Sequence, residues 1–258
     1  MARENRPFAC LTCYDATTAR WLERAGVHVL LVGDTAAEMV LGFPGTIHAP
    51  LEFMVTLTAG VKRGAPRTLV MADMPFLSYQ VDDAEAIRNA GRFMTEGSAD
   101  VVKLEADASF APLLEKMTRA GIPVCGHVGS KPQQAGLTGG YSSAGRTPSE
   151  SRVVVEDAVA LERAGAVMLL VEAVPEEVTA RILEETSVPL VGIGAGPACH
   201  GQVLVLQDLL GLSERPPVFA EPTAQMGPPL QSAAEEWVRR VSQRIVSGHR
   251  FEMKGGGR

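Results

Sequence analysis

The stretch His28–Thr35 reads HVLLVGDT, an unbroken apolar run that stops on Gly33 and Asp34. A short run of branched aliphatic residues without polar alternation is the pattern of a strand buried on both faces, as in a parallel sheet. An acid at its carboxyl end is costly to bury unless a partner waits for it. The same event recurs along the chain. Further apolar runs are TLVMAD at Thr68–Asp73, DVVKLE at Asp100–Glu105, PVCGHV at Pro123–Val128 and VMLLVE at Val167–Glu172, while PLVGIGAG at Pro189–Gly196 ends in glycines. Strands that repeatedly carry polar groups at their ends, each after a helical segment, predict one site assembled from many strand ends.

Working outward, Phe8–Asp15 predicts a first strand and Ala16–Ala25 a first helix, with Gly26 as its stop. Helices are expected around Pro50–Arg63, from Asp82 as N-cap to Glu96, and over Ser109–Ala120, Pro148–Ala164, Pro175–Glu185, Gly201–Leu210 and Pro229–Ser247. A weak eighth strand is expected at Pro217–Ala220. The connectors Arg24-Ala25-Gly26, Arg63-Gly64, Arg119-Ala120-Gly121 and Arg163-Ala164-Gly165 each precede a strand, which is the helix C-cap glycine recurring. Alternating β and α segments predict an α/β fold with a parallel sheet, and eight such units predict a closed (β/α)8 TIM barrel. The barrel is expected to be a single domain over residues 1–248, with a disordered tail at 249–258. The longest loop, Gly129–Ser149, is rich in Gly, Ser and Pro, and loops of that length are usually functional. Gly192-x-Gly194-x-Gly196 shares part of a dinucleotide fingerprint, but it comes late and lacks the third glycine at the required spacing.

Composition narrows the classes. With 258 residues, 46% hydrophobic and 21% charged, the chain can bury a sizeable core. A net charge of −6 without a basic block argues against nucleic acid as a partner. No apolar run approaches the roughly 18 residues of a membrane span. The N-terminal MARENRPFACL has no signal-peptide hydrophobic region, so a cytoplasmic location is expected. Cys10 and Cys13 have CxxC spacing, but no second pair accompanies them. Together with Cys125 and Cys199 they are expected to be buried reduced thiols.

In a barrel of this kind the site lies at the carboxyl ends of the strands. Alternation groups Leu30, Val32 and Asp34 on one face, and likewise Leu69, Met71 and Asp73; Val101, Lys103 and Glu105; Cys125 and His127; and Met168, Leu170 and Glu172. If these faces point inward, Asp34, Asp73, Lys103, Glu105, His127 and Glu172 meet at one mouth. Four carboxylates around one lysine repel each other and need a further cation; oxygen donors point to Mg²⁺ rather than zinc. The set suits a chelating 2-oxo acid whose enolate a metal stabilises while a base removes a proton beside the carbonyl. Plainer readings stand beside this one. A strand-end aspartate can be a helix N-cap, Lys103 and Glu105 can form a structural ion pair, and His127 can be a hydrogen-bonded core residue.

At these residues the chain resembles the ketopantoate hydroxymethyltransferase (3-methyl-2-oxobutanoate hydroxymethyltransferase) family, kin to the phosphoenolpyruvate mutase and isocitrate lyase barrels. The matching pieces include LTCYDATTA at 11–19, LLVGDT at 30–35, RGAP at 63–66, ADMPFLSY at 72–79, VVKLE at 101–105, IPVCGHVGSKPQ at 122–133, GGY at 139–141, VEAVP at 171–175, VPLVGIGAG at 188–196 and GQVLVLQDLLG at 201–211. They stand in the family's order over nearly the whole chain. The resemblance implies a (β/α)8 barrel, usually decameric, in the pantothenate branch. It would use Mg²⁺ and 5,10-methylenetetrahydrofolate to convert 3-methyl-2-oxobutanoate to 2-dehydropantoate. It also implies Asp34, Asp73 and Glu105 at the metal and Asp34, Thr35, Asp73 and Lys103 around the oxo acid. Glu172 would be the general base; His127, read from its strand end and not from the resemblance, is an auxiliary candidate. An alternative keeps the enolate chemistry but makes the chain a Mg²⁺-dependent lyase or aldol-type enzyme acting on another 2-oxo acid without folate.

The departures from the family pattern lie in loops. Ala36-Ala37 stand for the usual Leu-Gly, Gly42–Thr46 for Gly-aromatic-Asp-Ser-Thr, and Ser142–Arg146 for a lysine and Gln-Gly-Arg. His200 replaces an aspartate, and Pro216–Ala220 replaces Pro-Lys-Phe-Val-Lys. They bear on the folate and on the oxo acid's side chain more than on the enolate chemistry.

Overall fold

The six apolar runs and the predicted first strand all become parallel strands in the computed structural model, which describes residues 1, 4, 6–246, 248 and 251. The strands are β1 Phe8–Thr12, β2 Val29–Val32, β3 Leu69–Asp73, β4 Val101–Glu105, β5 Val124–Gly129, β6 Met168–Glu172 and β7 Leu190–Ile193; β8, Gly201–Leu204, completes the set. They pair in chain order and β8 returns to β1, closing an eight-stranded barrel. The tail expected at 249–258 falls, apart from Phe251, outside the described residues.

The helices form where local chemistry directs them. In α1, Ala16–Arg24, the N-cap Asp15 side chain accepts from the N–H groups of Thr17 and Thr18, and in α4, Asp83–Thr95, Asp82 accepts from Glu85. The helix α7, Pro148–Arg163, opens on a capping box between Thr147 and Glu150. At three of the recurring connectors the glycine takes a left-handed conformation, Gly26 at φ 82°, Gly121 at φ 87° and Gly165 at φ 101°. Gly64 differs: it ends α3, Leu51–Gly64, and a β-carbon there would collide with the Ala16 carbonyl. The remaining helices are α2 Ala36–Met39, α5 Ala111–Arg119, α6 Ala135–Thr138, α8 Glu176–Glu185, α9 Leu206–Leu209 and α10 Gly227–Ser242.

Three expectations need correction. The eighth strand is Gly201–Leu204, where a helix was expected, and Pro217–Ala220 is not a strand. Closure decides this, because β1 needs a partner and finds it in the pairs Phe8↔Gly201 to Leu11↔Leu204. Second, β2 faces the other way. The barrel interior is packed by Val29 and Leu31 with Phe8, Cys10, Met71, Val101, Cys125, Met168, Leu170, Val191 and Val203, whereas Leu30 and Val32 pack outward against the helices. Asp34 reaches the mouth because the strand ends at Val32 and the chain turns. Third, the last helix runs over Gly227–Ser242 and starts two residues earlier than expected.

The glycine run after β7 leads into β8 and not into a helix, so it lacks the helix N-terminus on which a dinucleotide pyrophosphate would sit. Cys10 packs inside the barrel and Cys13 among the helices, so the CxxC pair is split between two clusters and all four cysteines are free. One seam of the barrel is open. The outward residues Ala9 of β1 and Gln202 of β8 are exposed, because α9 is one turn long and α10 buries none of its residues. Among the described residues no helix is long and apolar enough to cross a membrane.

Candidate active site

The register sets the acids and the lysine side by side. Asp73 of β3 pairs with Lys103 of β4, and Glu105 of β4 pairs with His127 of β5. Lys103 Nζ lies 3.1 Å from Asp73 Oδ1, both nearly dry. Burial alone would lower the ammonium's pKa, but Asp73, Asp34 and Glu105 outweigh it and hold the charge. The Asp34 backbone N–H donates to Asp73 Oδ2 at 3.1 Å. Burial, reinforced by Asp73, pushes the Asp34 carboxyl up to about 7. Burial and the Asp34 charge also raise Glu105 well above the usual carboxylate range. Lys103 pairs with Asp73 rather than with Glu105, and the Asp34 side chain does not cap α2.

Across the barrel, four strands from β2, Glu172 ends β6 with about a fifth of its side chain exposed. Burial moves its carboxyl to about 7, opposed by the Lys103 charge. The His127 ring bridges the two sides. Its Nδ1 is 3.3 Å from Lys103 Nζ and its Nε2 is 3.3 Å from Glu172 Oε2. A lysine ammonium only donates, so Nδ1 accepts and the ring proton sits on Nε2, towards Glu172. Burial, then Lys103, lowers the imidazole pKa well below its ordinary value, so the ring is neutral. Its Nε2 is close to Glu172 without the alignment of a formed hydrogen bond.

Asp34, Thr35, Asp73, Lys103, Glu105, His127 and Glu172 all line one cavity of about 570 Å³. The Thr35 and Tyr14 hydroxyls are 2.6 Å apart. Tyr141, on the long loop, donates to Glu38 at 3.2 Å beside the mouth. Three of the divergent loops reach the same cavity, through Thr46, through Ser142 and Ser143, and through Pro217–Phe219. The long loop also carries the residue that sequence reasoning missed. Gln133 is buried, and its backbone N–H donates to both Glu105 oxygens at 3.1 Å. Its Nε2 donates to Asp34 Oδ2 at 2.8 Å. A polar residue beside Pro132 in an irregular segment carries no periodic signal, so only its place in the quoted 122–133 motif marked it.

The donors suit a hard cation. Asp73 Oδ1 has no aligned hydrogen-bond partner, and the available ligands are carboxylate oxygens. Among the described residues, no three of Asp, Glu, His and Cys converge as a ready cage. Mg²⁺ does not require one, since it commonly takes one or two carboxylates and fills its remaining positions with water and substrate.

A family model described as ketopantoate hydroxymethyltransferase matches residues 1–246. The chain belongs to this family. It is thus one of a family of transferases, and its relatives agree in name. It is 45% identical over 254 residues to the 3-methyl-2-oxobutanoate hydroxymethyltransferase of Halorhodospira halophila, covering 98% of this chain and 92% of that one. It is 45% identical over 235 residues to the enzyme of the same name from Pyrobaculum aerophilum, covering 91% and 89%. Among solved structures, 2,3-dimethylmalate lyase, a PEP mutase/isocitrate lyase superfamily member, aligns with a TM-score of 0.61 at 18% identity over 98% of this chain and 88% of that one. Phosphonopyruvate hydrolase in complex with oxalate and Mg²⁺ aligns with a TM-score of 0.64 at 14% identity, covering 94% and 84%. These two likenesses concern the fold of the ketopantoate hydroxymethyltransferase family member described here.

Proposed function

We propose that this chain transfers a hydroxymethyl group from 5,10-methylenetetrahydrofolate to 3-methyl-2-oxobutanoate, giving 2-dehydropantoate for pantothenate biosynthesis in the cytoplasm. The observation that carries this reading is the Glu172 carboxyl, pushed to about 7, on the far wall from the Asp34–Asp73–Lys103 group. In the proposed reaction Asp34 and Asp73 would hold Mg²⁺ and Glu105 would complete its site. Bound there, Mg²⁺ would supply positive charge that polarises the 2-oxo group. Lys103 neutralises the substrate carboxylate, and Thr35, oriented by Tyr14, hydrogen-bonds to it. Glu172 takes the C3 proton and the electron pair moves into an enolate; C3 attacks the one-carbon unit as its bond to one folate nitrogen breaks, and water displaces the second nitrogen, leaving the hydroxymethyl group and tetrahydrofolate. His127 faces the base and stays neutral throughout.

The test is an assay of purified protein with Mg²⁺ and 3-methyl-2-oxobutanoate, with and without methylenetetrahydrofolate, following 2-dehydropantoate. Folate-dependent product supports the transferase reading. Release of pyruvate or formaldehyde without folate would replace it with a lyase or aldol reaction.

A homo-oligomer is part of the same proposal. The helix α10 exposes Leu230, Trp237, Val238 and Val241, and the β1–β8 seam exposes Ala9 and Gln202, so both have unburied faces that a second copy would cover. A monomeric mass by light scattering at micromolar concentration would overturn it.

A further inference from the structure

We propose that Gln133 is the positioning residue of the acidic cluster, holding the Asp34 and Glu105 carboxylates in the arrangement that takes Mg²⁺. This rests on the metal role given to those acids above. Gln133 sits on the loop after β5, yet it ties together the ends of three other strands. Its backbone N–H reaches Glu105 at the end of β4, and its Nε2 reaches Asp34 after β2 and the Met74 carbonyl after β3 at 3.0 Å. Its Oε1 accepts from the Tyr79 hydroxyl at 2.9 Å and from Gln80 Nε2 at 3.0 Å. The Met74 carbonyl only accepts, so the NH₂ side must face Met74 and Asp34, and the amide has one orientation.

Charge explains why an amide serves here. The cluster needs donors to keep two buried acids in place, and a lysine or arginine would supply them together with a positive charge. That charge would satisfy the acids and repel an incoming cation. A carboxylate would bring no donor and would face the Met74 carbonyl and Asp34 Oδ2 with a further acceptor. Glutamine donates without adding charge, and it leaves Asp34 Oδ1 free for a ligand. Its substitution therefore acts on metal affinity and not on packing alone.

The experiment is Mg²⁺ titration calorimetry on the full chain, run beside thermal unfolding. Gln133→Met keeps length and bulk but removes every side-chain hydrogen bond of position 133. It is expected to lower Mg²⁺ affinity at least tenfold in folded protein. Tyr79→Phe leaves the bond to Asp34 intact but removes one of the two donors to Oε1, together with the hydroxyl's contact with the Glu105 carbonyl, and a loss of a few-fold is expected. A lower melting temperature with unchanged Mg²⁺ affinity in Gln133→Met would assign a merely structural role and overturn the inference. If that variant does not fold, unchanged affinity in Tyr79→Phe overturns it instead. Wild-type protein that binds no Mg²⁺ would overturn the metal reading itself, a failure distinguishable from a wild type that binds and variants that bind equally.

Discussion

His127 Nε2 stands 3.3 Å from Glu172 Oε2, and the Lys103 ammonium on the other ring nitrogen assigns the proton to the Glu172 side. A neutral N–H beside a carboxylate leaves its charge in place, which suits a base. Glu172→Gln keeps the shape but cannot accept the proton. C3 deuterium exchange of 3-methyl-2-oxobutanoate, followed by proton NMR without folate, should fall by about 10²–10⁴-fold. Mg²⁺ and oxo-acid binding should persist. Undiminished exchange would remove Glu172 from the mechanism and make His127 the next base to test.

The same carboxyl sets a pH dependence. A base acts when ionised, so exchange should rise with pH through about 7 and then level off. A pH-independent rate between about 5 and 9 would contradict the assignment.

Stability should run the opposite way in metal-free protein. Glu172 rises from 4.5 and Asp34 from 3.8, each to about 7, so the folded state binds these protons more tightly than the unfolded state. Their stabilising contribution is complete below about pH 4 and is lost as pH rises through about 7. In unfolding curves collected across this range, Mg²⁺ should restore stability at high pH more than at low pH. An equal effect of Mg²⁺ at pH 5 and pH 8 would count against ionised Asp34 as a ligand.

Asp34→Asn tests the metal directly. The amide can still accept from Gln133, whose bond to Asp34 Oδ2 is 2.8 Å, so the change is chiefly one of charge. Mg²⁺ affinity by calorimetry and turnover should be lost together. Unchanged Mg²⁺ affinity would refute Asp34 as a ligand.

The divergent loops make a separate prediction. Ser142, Ser143 and Pro217–Phe219, in loops that depart from the family pattern, line the cavity. Folate recognition should weaken while oxo-acid binding holds. A methylenetetrahydrofolate KM inside the ordinary range of about 1 μM to 1 mM would contradict this.

The sequence by itself determined the alternation of strand and helix, the caps at Asp15 and Asp82, and the acids, lysine and histidine that share one mouth. These follow from short-range causes: apolar runs of strand length, side chains that bond the next turn of backbone, and polar residues at strand ends. Tertiary structure alone decided the rest. GQVL at 201–204 became a strand because the free edge of β1 required a partner, which outweighs the local preference of a segment readable as helix. The face of β2 was settled by packing Val29 and Leu31 inside the ring, an outcome invisible where every residue of the run is apolar. His200 found its role through a contact ten residues away, its Nδ1 accepting from the Leu190 N–H where an aspartate could accept too. Gln133 joins Asp34 across 99 residues of chain, and no periodicity encodes a hydrogen bond made only when the barrel closes.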